Sequence, residues 1–446
     1  MKIIILGAGE VGYNLAEILS VEGHDLSVID NNPNVVDRIS STLDVLAINT
    51  ICVNREALKN AGIEMADMVI AVTKIDEINL AACLLAKDFG VALTIARVRG
   101  VGTEYFPYDK FGVDIIIHPE KAAAKEIVRL AISKSSEAII IREFADSQIQ
   151  LVRINIRKNS ILSGIKLSEI SNIAENKSLL VISVIRKKNT FIPKGDFVIK
   201  EYDKVYMILS ESAKGYIFEK FGIEQIEPKS AIIYSGNEIG YEVANILETK
   251  LSFVKIIEKS FSRCNLLAEK LSTSLVLRGD GTDLKLLKQE NIKNTDIHIS
   301  VSDDDKANLF ASLLAKKLGI KNTITVIREP EYIPLLCDLG LDNIINPVIC
   351  VANEILSHVR EGKILSVTTL TDTESEIIEQ EIENECMLTS GSIKDLRLPK
   401  NILIGAVIKN NNIAFIPKGS DKLEVGDRIT VFSTSNALAK VENLFK

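Results

Sequence analysis

The chain opens Lys2-Ile3-Ile4-Ile5-Leu6-Gly7-Ala8-Gly9-Glu10-Val11-Gly12, and 228 residues on it begins again as Ala231-Ile232-Ile233-Tyr234-Ser235-Gly236-Asn237-Glu238-Ile239-Gly240. A buried strand, a glycine turn and a helix starting inside the turn form the unit that cradles a nucleotide phosphate. Each copy also carries an acid 18 residues past its last glycine, Asp30 in the first and Glu258 in the second. One glycine fingerprint is a weak signal. The same strand, turn, helix and acid in tandem constrain the chain to a duplicated nucleotide-binding α/β fold whose copies have diverged.

The repeat extends beyond the fingerprint. Val113-Asp114-Ile115-Ile116-Ile117-His118-Pro119 answers Leu341-Asp342-Asn343-Ile344-Ile345-Asn346-Pro347. Phe191-Ile192-Pro193-Lys194-Gly195 recurs verbatim as Phe415-Ile416-Pro417-Lys418-Gly419, and 201–205 answers 425–429. Four segments follow from this: 1–138, 139–226, 227–363 and 364–446. The first and third read as Rossmann-type, doubly wound parallel sheets. In the first, short Val/Ile/Leu runs at 2–6, 25–29, 45–48, 68–72, 94–98 and 114–117 predict strands buried on both faces, with helices between them at 11–19 and 78–87. The second and fourth read as small β-rich α+β modules. Period-two alternation at 149–156 and 181–185 predicts strands, the latter turning through 186–189 into another strand. The acidic stretch 372–385 reads as a solvated connector or exposed strand face, with a docking tail as the alternative.

With 446 residues, 46% of them hydrophobic, the chain is long enough for several cores. A formal charge of −7 argues against a nucleic-acid surface and against direct docking on anionic lipid. No apolar run reaches the roughly 18–20 residues that cross a bilayer. The apolar N-terminus reads as a strand broken at Gly7, without a signal-peptide cleavage pattern. The six cysteines have no metal spacing and read as reduced core residues.

In the first copy Gly7 permits the sharp turn, Gly9 lets a diphosphate approach, and Gly12 lets the helix pack closely. The N–H groups of Glu10 and Val11 point at the phosphates, and Ala8 completes the loop. Asp30 suits ribose hydroxyls and repels a 2′-phosphate, which selects NAD(H) or an adenine nucleotide over NADP. Thr73 ends the fourth strand at the ligand edge. Arg97 and Arg99 end the fifth, where Arg97 can balance phosphate charge or form a salt bridge. Asp76 and Glu77 read as acids of a helix start, with Asn79 close behind. The candidate second site comprises Ser235, Gly236, Asn237, Glu238, Ile239, Gly240, Glu258 and Asp280. Here Asn237 tolerates left-handed backbone but crowds the phosphates, and a mononucleotide is the ligand it would still accept. No catalytic or metal-binding set emerges. A dehydrogenase needs an acid or base beside the nicotinamide, and of the four histidines only His118 is well placed, where a helix start accounts for it.

The fingerprint, Asp30, 71–79, Ala96-Arg97-Val98-Arg99, 116–120 and 403–411 together resemble the TrkA family, the cytosolic regulatory subunits of Trk-type potassium uptake systems. The resemblance covers the whole chain. It implies two RCK units, each a Rossmann N-lobe followed by a β-rich C-lobe. It implies binding of NAD(H) and of ATP or ADP at Gly7 to Gly12, Asp30, Thr73 and Arg97. It also implies a homotetramer, a ring of eight RCK units, on the cytoplasmic face of the membrane-embedded Trk subunit. Two departures stand out. The first N-lobe lacks the Gly-polar turn after strand three, where Thr50 and Cys52 stand. The second lacks two fingerprint glycines. An RCK regulator of another cation channel or efflux antiporter is the alternative reading. The helices after His118-Pro119 and Asn346-Pro347 are expected either to pair the lobes or to pack inside one.

Overall fold

The computed structural model describes residues 1–99, 108–135, 137–145, 147–175, 178–187, 189–341, 343–359, 366–369, 375–396, 398, 399, 401–434, 441, 444 and 445. Lys188, Asp342 and positions 372–374 of the acidic stretch lie outside them.

The first N-lobe runs β1 (Lys2–Leu6), α1 (Glu10–Val21), β2 (Asp25–Asp30), α2 (Pro33–Thr42), β3 (Leu46–Asn49), α3 (Arg55–Asn60), β4 (Met68–Ala71), α4 (Asp76–Asp88), β5 (Leu93–Arg97), β6 (Ile115–Ile117) and α5 (Pro119–Ala131). Its strands form one parallel sheet in the order β3-β2-β1-β4-β5-β6. All six expected strands are present to within one residue at each end. Ile3, Ile4, Ile5 and Leu6 are fully buried, because helices cover both faces of the sheet. Each such side chain contributes about 1.5–3 kcal/mol of burial. Cys52 and Cys83 lie in this core, and burial pushes their thiols up to about 11 and about 12, which leaves them inert.

The first C-lobe follows: β7 (Ala138–Phe144), β8 (Ile149–Asn155), α6 (Leu167–Ile173), β9 (Leu179–Arg186), β10 (Asn189–Phe191), β11 (Lys204–Ser210) and α7 (Glu211–Lys220). Its antiparallel sheet is ordered β10-β9-β11-β8-β7. The second N-lobe repeats the first as β12 (Ser230–Tyr234), α8 (Glu238–Leu247), β13 (Phe253–Glu258), α9 (Phe261–Lys270), β14 (Leu275–Arg278), α10 (Leu284–Gln289), β15 (Ile297–Ser300), α11 (Asp305–Lys317), β16 (Asn322–Val326), α12 (Ile333–Asp338), β17 (Asn343–Ile345) and α13 (Pro347–Val359), with the parallel order β14-β13-β12-β15-β16-β17. The second C-lobe has β18 (Ser366–Thr369), β19 (Ser375–Glu381), β20 (Ile402–Ile408), β21 (Ala414–Phe415) and β22 (Arg428–Thr434) in the order β18-β19-β22-β20-β21.

Packing groups like lobes together. One compact unit holds Met1–Ile132 with Pro228–Leu356, and the other holds Ser133–Glu227 with Ser357–Lys446. In the first unit α5 leaves its own sheet and packs on α8, β16 and β17 of the second N-lobe. Its stripe Ala124, Ile127, Val128 and Ala131 is buried, so this helix pairs the lobes.

In the second unit β8 departs from its alternation. Gln150 and Arg153 are as buried as their apolar neighbours. One face of β8 meets the core beneath the helices, with Val152 and Ile154 beside Ile217 and Phe218. The other meets the second C-lobe, where Leu151, Tyr206 and Ile208 cluster with Ile377, Ala406 and Phe432. The approach is close: a Cβ on Gly405 would lie 2.2 Å from Ile208 Cδ1. The acidic stretch is likewise more than a solvated connector. Its residues 375–381 are β19, paired with β18 and β22, and Ile377, Ile378 and Glu379 are buried.

Candidate nucleotide site

In the first N-lobe the strand order reverses between β1 and β4, which opens a crevice at the carboxyl ends of the strands. The fingerprint turn lies at this edge. Gly7 has φ +98°, and a Cβ there would sit 2.8 Å from Thr73 N, so two independent constraints require glycine. A Cβ on Gly12 would lie 1.9 Å from Gly7 O: the first turn of α1 rests on the turn that precedes it. Gly9 differs, because a Cβ there would meet nothing within 4 Å. The space beside Gly9 is therefore open. Gly9 is the N-cap of α1, and no side chain among the described residues caps that helix. Free N–H groups and the positive end of the helix dipole face this space, an arrangement that accepts a phosphate.

Asp30 closes the turn from the side. Its Oδ2 accepts the Ala8 N–H at 2.6 Å and its Oδ1 accepts the Asn32 N–H at 2.8 Å. The carboxylate is thus fixed at the end of β2, with lone pairs left for hydroxyl donors. Thr73 and Arg97 come together through Asn79, which residue order alone does not mark as a site residue. Asn79, fully buried, accepts from Thr73 N and Oγ1 at 2.9 and 2.7 Å. Its Nδ2 donates to Thr73 O at 3.1 Å and to Arg97 O at 2.8 Å. The ends of β4 and β5 are pinned by one amide. The signal was present as a repeated spacing: Ser302 and Asn308 make the same contacts in the second lobe, with Asn308 Nδ2 donating to Val326 O.

Arg97 is the cation of this crevice. Its Nε is buried without a hydrogen-bond partner among the described residues. Burial and the neighbouring Arg99 lower its proton affinity, with Glu120, Asp76 and Glu10 opposing them. Glu120, also unforeseen as a site residue, stands near Arg97 and Arg99 on α5, and burial pushes its carboxyl up. Asp76 does not cap its own helix; its Oδ2 accepts the Arg99 N–H at 2.9 Å. His118 is the N-cap residue of α5, with Nδ1 2.9 Å from Val98 O.

The second N-lobe keeps the frame and changes the lining. Glu258 copies Asp30, accepting from Gly236 N and Ser260 N at 2.8 Å each. The left-handed position falls on Ser235, at φ +82°, and not on Asn237, whose φ is −62°. Asn237 acts through its side chain instead. Its Oδ1 accepts the Gly240 N–H at 3.0 Å and caps α8. Its Nδ2 donates to Val301 O at 2.6 Å. Asp280 is held in its own loop by Thr282 and pairs with Lys259 at 2.9 Å. The Gly281 beside it has a local cause, since a Cβ there would lie 2.1 Å from the Tyr234 ring. Glu238 pairs with Arg263 at 3.0 Å, and Ile239 and Gly240 are buried in the first turn of α8. A crevice of about 390 Å³ remains, lined by Tyr234, Glu258, Lys259, Ser302, Asp303 and Asp304 among others.

Among the described residues no helix is long and apolar enough to cross a membrane, and no cluster of metal-ligating side chains occurs.

Comparison with known proteins agrees with this architecture. The TrkA-N domain model matches residues 3–119 and 231–347, and the TrkA-C domain model matches 151–222 and 377–446. The chain is 32% identical to the Trk system potassium uptake protein TrkA homolog 2 of Methanosarcina mazei, covering 100% of both chains. It is also 32% identical to the Trk system potassium uptake protein TrkA of Halomonas elongata, covering 100% of this chain and 99% of that one. Among solved structures, the GsuK channel superposes with a TM-score of 0.60 at 18% identity, over 100% of this chain and 78% of that chain. The GsuK channel bound to NAD gives 0.59 at 17%, over the same shares. At such identities the likeness concerns the fold alone. Paired matches to both domain models, with full-length similarity to curated relatives, place this chain in the TrkA family, with the TrkA-N and TrkA-C pair present twice.

Proposed function

We propose that this chain is the nucleotide-sensing regulatory subunit of a Trk-type potassium uptake transporter. The observation that carries the reading is the uncapped start of α1 at Gly9, open to solvent and flanked by Asp30, with Arg97 near enough for its charge to act on Glu10 in the first turn of α1. The residues fit an adenine nucleotide or NAD(H). The α1 N-terminus takes the phosphates, Asp30 the ribose hydroxyls, and Arg97 balances charge. Thr73 and Asn79 hold the strand ends in place. The names of the relatives supply the transport system, and the NAD-bound state of the structurally similar GsuK channel supports the ligand class.

In this reading the chain acts as a ligand-gated module and not as an enzyme. His118, the histidine best placed at the strand edge, is engaged with the Val98 carbonyl. Four chains assemble into a ring of eight RCK units on the cytoplasmic face of the membrane-embedded Trk subunit. A nucleotide shifts the ring only through different affinities for its two states. NAD(H) and ATP or ADP need not favour the same state.

Calorimetric titration of the full chain with NADH and with ATP tests the site. Saturable binding that disappears in Asp30→Ala supports it, and undiminished affinity in that variant sinks it. Potassium flux through the Trk partner in vesicles tests the role. Flux that ignores both this chain and the nucleotide rules it out.

A further inference from the structure

We infer that the two N-lobes are not equivalent sensors: the second has filled its own phosphate cradle, and nucleotide sensing is confined to the first. The inference rests on the function proposed above and adds which lobe carries it.

Five substitutions at matching positions point the same way. Gly9, beside which the first lobe is open, is Asn237 in the second. The Asn237 amide caps α8 and reaches Val301 O, so it supplies to the helix N-terminus what a phosphate oxygen would supply. The backbone angles hardly differ, at φ −63°, ψ −169° for Gly9 and φ −62°, ψ −174° for Asn237. The side chain alone closes the cradle.

Val35 of α2 corresponds to Arg263 of α9. Arg263 Nε donates to Gly236 O at 2.6 Å and its Nη2 to Glu238 Oε2 at 3.0 Å, stapling α9 to the turn. The fit is tight: Ala8 has become Gly236, where a Cβ would lie 2.2 Å from Leu267 Cδ1. The first lobe has no such staple, because Val35 cannot donate.

The charge that follows the strand-end hydroxyl is reversed. Lys74 follows Thr73 in the first lobe; Asp303 follows Ser302 in the second. Asp303 and Asp304 line the second crevice together with Glu258, against one cation, Lys259, which pairs with Asp280. Arg328 offsets Asp303 at 2.8 Å, yet Arg97 has no counterpart, since Asn308 reaches Val326 where Asn79 reaches Arg97. An arriving polyphosphate meets three carboxylates against one lysine, and an occupied helix N-terminus. In the first lobe it meets a half-buried arginine and an open helix N-terminus.

Hydrogen–deuterium exchange of the full wild-type chain, with and without NADH and separately ATP, tests this without a variant. Protection at 7–13 and none at 235–241 is the expected result. Protection at 235–241, alone or with 7–13, overturns this inference and leaves nucleotide sensing intact. Protection at neither overturns the proposed function and this inference with it. Gly9→Asn is the reciprocal test, because the second lobe shows that this backbone accommodates Asn and the space beside Gly9 is free. It is expected to weaken NADH binding at least tenfold while circular dichroism shows the fold kept. One equivalent bound at wild-type affinity by that variant overturns the inference.

Discussion

Asp30 Oδ2 accepts the Ala8 N–H at 2.6 Å, so the acid at the end of β2 is a structural member of the glycine turn before any ligand arrives. Asp30→Ala therefore removes a ribose acceptor and also leaves the Ala8 amide short of its partner. NADH affinity is expected to fall at least tenfold, and the first N-lobe to lose about 1–3 kcal/mol. Titration and denaturant unfolding read the two effects separately. NADPH is expected to bind the wild type at least tenfold more weakly than NADH; equal affinities would remove Asp30 from the ribose.

The fingerprint glycines separate by role. A Cβ on Gly12 collides with Gly7 O, so Gly12→Ala is expected to cost roughly 1–3 kcal/mol, seen as a lower Tm with or without nucleotide. A Cβ on Gly9 meets open space, so Gly9→Ala is expected to hold its Tm within a few degrees and to lose nucleotide affinity. Equal losses of stability would mean that Gly9 serves the fold and not the ligand.

Arg97 carries a buried Nε without a hydrogen-bond partner among the described residues, which disfavours the empty state of the site. Val326 shows that an apolar residue fits the matching position. Arg97→Met is expected to leave unliganded stability unchanged or raise it. It is expected to weaken NADH and ATP about 10–100-fold, the size of a lost charged hydrogen bond. A large drop in unliganded Tm would assign Arg97 to packing.

His298 lies within β15 at 1% exposure, and burial lowers its pKa from 6.5 to about 4. The unfolded chain therefore binds the extra proton first as pH falls. Its contribution is complete above pH 6.5 and is lost between about 6.5 and 4, by up to roughly 3 kcal/mol. His298→Val, which installs the residue found at Val69 in the first lobe, is expected to flatten that dependence in unfolding measured at pH 7 and pH 5. An unchanged slope would place the acid sensitivity elsewhere.

His118→Ala removes one contact, to Val98 O, at the start of α5. Nucleotide affinity is expected to stay within twofold of wild type and stability to fall by about 1 kcal/mol or less. Loss of a nucleotide-dependent turnover in this variant would revive a catalytic role for the histidine.

Much was legible from residue order alone, for a local reason. Strand period, glycine spacing and the acid at a strand end act over a few residues. The chain thereby determined two Rossmann sheets, two β-rich modules and the place of Gly7 to Gly12 and Asp30. Tertiary structure decided the rest. Asn79 became a site residue only when β4 and β5 lay side by side, and α5 a lobe-pairing helix only when α8 met its face. The burial of Gln150 and Arg153 needed a helix layer on one side of β8 and a second sheet on the other. Asn237 read as a degraded glycine, and its role as a cap and plug rests on Val301, 64 residues away in the chain. Such contacts depend on which side chains share a space, and a one-dimensional pattern of periods and spacings does not encode that.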